Sequence, residues 1–164
     1  MSRPLHAALL SSMLLCLSPA LADGGGGGGG AEAEAGAAGA TVARAVEAIK
    51  AERFAEAIRL LAPHVRLERD DADAHNWLAY AYRKSGQLER AFVHYKRALQ
   101  IMPGHLGAHE YIGEAYLMAG QPERAEYHLR ELARLCAAQC EQYEDLKSAI
   151  AAHKAGATTT ASKP

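Results

Sequence analysis

The sequence predicts an all-α fold in which antiparallel helix pairs stack side by side, an α-α superhelix of about three pairs closed by a C-terminal capping helix. Three observations carry that expectation. The first is self-similarity: residues 85–104 and 119–138 align without a gap 34 residues apart, sharing Gly, Gln, Glu, Arg, Ala and His. A fixed period of this size marks an array of small supersecondary units. The second is spacing, since Leu78, Tyr82, Leu88, Ala91, Phe92, Tyr95, Ala98 and Leu99 recur at threes and fours, the period of a helix face. The third is punctuation: Gly86 and Gly120 fall between the periodic runs, where glycine closes a helix in the left-handed conformation without a Cβ clash.

The chain opens on something other than the fold. Residues 1–22 have the layout of a cleaved secretory signal, with Arg3, a nearly unbroken apolar run over 5–17, and Ala20-Leu21-Ala22 where signal peptidase cuts. That run is shorter than the roughly 18 to 20 residues a spanning helix needs, so no membrane span is expected after cleavage. The expected location is the periplasm or outside the cell. Losing Arg3 takes the formal net charge from −1 to −2, which gives no electrostatic footprint for nucleic acid. Losing Cys16 leaves Cys136 and Cys140, an even pair in an oxidising compartment.

Residues 23–40 hold a run of glycines followed by alanine, glycine and two glutamates, a composition with nothing large to bury, and read as a flexible linker. Residues 155–164 read as a disordered tail for the same reason. Between them, 41–154 is one domain's worth of core, divided into units at 41–71, 72–105 and 106–139 and a closing helix over 140–154. The expected helices are 42–51, 54–68, 72–84, 88–101, 106–118, 122–135 and 140–153. The first unit is the most degraded, with Arg44 at an apolar place, Glu52 where its successors have glycine, and Pro63 inside its second helix, where a kink is expected. Pro122 suits a first helical turn and Pro103 ends the preceding helix. The closing helix has Tyr143, Leu146 and Ile150 on one face, Glu141, Glu144 and Asp145 near its start and Lys154 at its end, in accord with the helix dipole.

A helix-turn-helix of 34 residues with this pattern resembles the tetratricopeptide repeat. The resemblance implies small residues where helices approach most closely, here Ala79, Gly113, Ala91 and Ala125, and large ones between them at Leu78, Tyr82, Tyr95, Leu99, Ile112, Tyr116 and Leu129. Leu132 and Ala137 depart from the pattern. The resemblance further implies that the first helices line a concave groove. In the second unit its lining falls on Asn76, Trp77, Tyr80, Arg83 and Lys84; in the third it falls on Glu110, Tyr111, Glu114, Leu117 and Met118. The implied function is a non-enzymatic adaptor or scaffold that holds an unidentified protein or peptide, with no cofactor. Trp77 and Tyr111 also suit plain packing between neighbouring repeats. Family members that grip a terminal carboxylate use lysines and asparagines in set places, which Val42, Asn76 and Tyr80 do not supply.

Cys136 and Cys140 lie where the third pair hands over to the closing helix. At a turn a disulfide between them is unstrained and would clamp that helix to the array, its stabilisation at the low end of about 2 to 4 kcal/mol because the loop is short. The alternative is a redox or copper-handling site, since two thiolates suit Cu(I). His75 and His109 are equivalent by repeat, as are His94 and His128, so duplication explains them without a metal. Neither a phosphate-binding glycine loop nor a Ser-His-Asp arrangement is legible, and no catalytic residue is assigned. A structural module that self-associates through its exposed ends is the third reading.

Overall fold

The computed structural model describes residues 29–161. Residues 1–28 and 162–164 lie outside it, and with them the signal sequence, the start of the linker and the end of the tail. Among the described residues there are seven helices: α1 Gly29–Lys50, α2 Phe54–Leu67, α3 Ala72–Lys84, α4 Leu88–Ile101, α5 Leu106–Met118, α6 Pro122–Cys136 and α7 Glu141–Ala161. No helix among them is long and apolar enough to cross a membrane.

Short turns join α1 to α2, α3 to α4 and α5 to α6, and each of these pairs packs against itself. The pairs then stack, α2 on α3, α4 on α5 and α6 on α7, while α3 touches α5 and α5 touches α7. The turns repeat one geometry. Glu52, Gly86 and Gly120 all have positive φ, at 56°, 75° and 68°. In each turn the next residue's N–H reaches five residues back: Arg53 to Ala48 at 2.8 Å, Gln87 to Tyr82 at 2.9 Å and Gln121 to Tyr116 at 2.8 Å. These bonds satisfy carbonyls that a helix end leaves orphaned.

Small residues sit at the crossings. Ala45, Ala57, Ala79, Ala91 and Ala125 have no exposed surface, and Leu78, Ile112 and Leu146, each 34 residues after the last, fill the layers between first helices. Gly113 meets α7: a Cβ built there would stand 2.6 Å and 2.7 Å from the δ carbons of Leu146. Arg44, at the corresponding place in α1, is exposed. The helix α2 runs unbroken past Pro63 to Leu67. Two starts are fixed by side chains that cap a free N–H. Asp71 Oδ1 accepts from Ala74 N at 2.9 Å, and His105 Nδ1 accepts from Ala108 N at 3.2 Å.

Three boundaries correct the expectation. Residues 29–40, taken as linker, form the first turns of α1, and residues 155–161, taken as tail, extend α7. Both stretches are rich in alanine, the strongest helix former, so a helix nucleated by packing propagates through them. Lys154 therefore stands inside α7, where its Nζ lies 2.7 Å from Glu126 Oε1 on α6 instead of facing a helix end.

Candidate functional site

The side of the stack formed by α3, α5 and α7 carries a cleft of about 590 Å³. Tyr80, Arg83 and Lys84 reach it from α3, Glu110, Tyr111, Glu114, Leu117 and Met118 from α5, and Ala149 and His153 from α7. Most of the groove residues expected from sequence thus meet in one place. Trp77 stands beside the lining, its ring centroid 6.0 Å from that of Tyr80 and 6.3 Å from that of Tyr111. Tyr80 and Tyr111 meet edge-on at 4.9 Å. The aromatics therefore pack one repeat against the next, and the two tyrosines also face the opening. Asn76 is only 2% exposed and leaves its Oδ1 unpaired, so it belongs to the α3–α5 interface, 3.6 Å from where a Cβ on Gly107 would stand.

Arg83 fixes the floor. Its Nη1 lies 2.6 Å from Glu114 Oε2, its Nε donates to the Tyr95 hydroxyl at 3.3 Å, and its guanidinium carbon stands 5.0 Å and 5.6 Å from the Tyr80 and Tyr111 ring centres. One planar cation thus ties α3, α4 and α5 together, a role for which lysine lacks the fork geometry. Burial opposes its charge, but the Tyr95 hydroxyl and the Glu114 carboxylate together raise its pKa.

Glu110, one turn before Glu114, is 7% exposed and makes no hydrogen bond or ion pair among the described residues. Burial, reinforced by the charges of Glu114 and Asp145, pushes its pKa up to about 8, with Arg83 pulling only part of the way back. Burial and then the neighbouring Glu110 push the Tyr111 hydroxyl up to about 12.

The wall that α7 contributes through Ala149 and His153 is absent from the sequence reading, which gave that helix only a closing role. The signal was present: Leu146 follows Ile112 by the repeat period, which makes α7 the first helix of a fourth, half-complete unit.

Outside the cleft, the equivalent histidines meet across each helix pair. His75 Nδ1 is 3.0 Å from His94 Nδ1, and His109 Nδ1 is 2.9 Å from His128 Nδ1. His109 Nε2 also donates to the Pro103 carbonyl at 2.9 Å, so in the neutral pair His109 Nδ1 accepts and His128 Nδ1 donates. Burial, followed by the partner ring, depresses His94 and His128 to about 4, and burial lowers His75 and His109 as well. Thr41 and Leu60 occupy the corresponding places in the first unit, which has no such pair.

Cys136 ends α6, Cys140 precedes α7, and the two are disulfide-bonded with Cα atoms 5.8 Å apart. Among the described residues no three His, Cys, Asp or Glu side chains converge as a metal site.

Residues 83–150 match a tetratricopeptide repeat family model. A search of curated protein sequences finds no match. Among solved structures, the type III secretion translocator chaperone SycD of Yersinia enterocolitica aligns at a TM-score of 0.69 and 18% identity, over 81% of this chain and 97% of that one. The same chaperone in complex with a peptide of the translocator YopD gives 0.62 and 18%, over 71% and 91%. The first repeat domain of Spaghetti (RPAP3), bound to the HSP90 peptide SRMEEVD, gives 0.63 and 16%, over 70% and 91%. A Thermobaculum terrenum O-GlcNAc transferase gives 0.65 and 22%, over 71% of this chain and only 22% of that one. At such identities the likeness is one of fold. Because the family match, the repeated left-handed turns and the period of buried alanines coincide on the same helices, this chain is a tetratricopeptide-repeat protein.

Proposed function

We propose that the chain is a non-enzymatic adaptor that holds a peptide or helix of another protein in the cleft between α3, α5 and α7. The observation that carries this reading is the cleft's makeup. Two half-buried tyrosines and a fixed arginine stand beside open charges of both signs. Tyrosine and arginine supply a disproportionate share of interface energy because they bury much area at little entropic cost. Two of the similar structures hold a peptide, which supports the same use here. The likeness to the glycosyltransferase covers about a fifth of that enzyme and supplies no catalytic machinery to this chain.

The adaptor works outside the cytoplasm in this proposal, after residues 1–22 are removed. The composition of that segment supports export, and a disulfide between Cys136 and Cys140 suits an oxidising compartment. Edman sequencing of the mature protein should start at Asp23; a chain beginning at Met1 in the cytoplasm would remove this part.

A photo-crosslinker placed at Tyr111 in the native cell should capture a protein that the same crosslinker at Val93, exposed on α4, does not. Identical adducts from both positions would refute the cleft as the binding surface.

A further inference from the structure

We infer that the α5–α7 end of the cleft recognises a basic side chain, a lysine or arginine presented by the bound segment, with Glu110 as its anionic partner. The inference rests on the cleft reading above and names what the cleft selects.

The starting observation is a carboxyl group in a costly place. Glu110 is more than nine-tenths buried, lines the cleft and has no hydrogen-bond or ion-pair partner among the described residues. A buried carboxylate that merely fastened helices would be paired, as Glu114 is to Arg83. The cations near enough to serve are engaged elsewhere. Arg83 is held by Glu114 and the Tyr95 hydroxyl, Lys154 by Glu126, and Lys84 lies with its ammonium 6.0 Å from the Phe54 ring centre. The charges felt at Glu110 are otherwise of its own sign: Glu114 on α5, and Glu141 and Asp145 on α7. The surroundings therefore favour a cation that comes from outside. Tyr80 and Tyr111 flank the approach and suit the alkyl stem that carries such a charge. Lys84 and His153 at the same cleft leave donors for the ligand's backbone carbonyls.

A chemical signature follows. Burial leaves Glu110 largely protonated at neutral pH, its pKa near 8, so a docked ammonium or guanidinium must displace that proton. The other groups facing it are Tyr111 and Glu114 on its own helix, Arg83 on α3, and Glu141 and Asp145 on α7. Tyr111 is held protonated up to about 12, so proton release near neutrality reports Glu110.

The sequence supplies its own reporter, because Trp77 is the single tryptophan and stands 6.3 Å from Tyr111. The experiment titrates residues 23–164 with capped peptides of fixed apolar flanks that carry lysine, arginine, norleucine or glutamate at one central position. Lysine and arginine peptides should bind roughly ten-fold or more tightly than the norleucine peptide, and glutamate should bind weakest. Glu110→Gln should abolish most of that preference while leaving norleucine affinity unchanged. Calorimetry at pH 7 in two buffers of different ionisation heat should show proton release with the lysine peptide and none with norleucine. This second measurement uses the unaltered chain and decides the matter should Glu110→Gln fail to fold. Equal affinity for lysine and norleucine would overturn the inference and leave the cleft reading intact. Silence of Trp77 toward every peptide would bring down the cleft reading itself, and this inference with it.

Discussion

Glu52, Gly86 and Gly120 are asked for the same left-handed backbone, and only two of them are glycine. An L-residue there costs about 1 kcal/mol, because its Cβ crowds the following carbonyl. Glu52→Gly should therefore raise the unfolding free energy by up to about 1 kcal/mol, measured by urea denaturation, and Gly86→Ala should lower it by a similar amount. No atom lies within 4 Å of a Cβ built at Gly86, so the expected loss is backbone strain alone. The glycine turns were legible from sequence, and Glu52 became legible through them by counting back one repeat. Glu110 was legible as a groove position but not as a buried, unpaired acid. Its burial arises from the approach of α7, a contact between segments that no local pattern encodes. Asn76 misleads in the same way, for the face of α3 that carries it is covered by α5.

At the scale of an element, α7 shows why the helix ends were the hardest feature to read. Apolar spacing stops at Ile150, yet the helix continues to Ala161, since propensity extends a helix beyond the face that docks it. The docked face turns on one small residue. Replacing Gly113 by alanine should gain about 1 kcal/mol of helix propensity, but the new methyl must share space with Leu146, which is fully buried and has little room to move. Overpacking of this kind costs about 1 to 3 kcal/mol, so a net loss is expected. Adding Leu146→Ala to that variant should cost less than the same change in the parent, a coupling readable in a double-mutant cycle. The disulfide acts at the same junction. Reduction should lower the unfolding free energy by no more than about 2 kcal/mol, with the loss concentrated in hydrogen-exchange protection of α7, because only the short link between α6 and α7 is constrained.

For the whole molecule, the buried titratable groups set a pH of greatest stability. The histidines of the two pairs are depressed below 6.5, His94 and His128 to about 4, so between those values the unfolded chain binds protons that the folded chain refuses. Stability is then fully present above 6.5 and is lost as pH falls, by about 1.4 kcal/mol per pH unit for each proton refused. Glu110 acts in the opposite sense. Its folded pKa of about 8 against 4.5 unfolded means that the folded chain keeps a proton the unfolded chain has released, so stability is lost as pH rises across that window. Below 6.5 two histidine pairs outweigh one glutamate, and from 6.5 to 8 the glutamate acts against no histidine. Thermal denaturation should therefore give a maximum near pH 6.5, with a steep acid limb and a shallower alkaline one. Glu110→Gln should flatten the alkaline limb only, and His94→Gln with His128→Gln should reduce the acid limb only. A melting temperature that stays level from pH 6.5 to 8 would mean that Glu110 is already ionised in the folded chain, with a partner other than the basic side chain argued for it here.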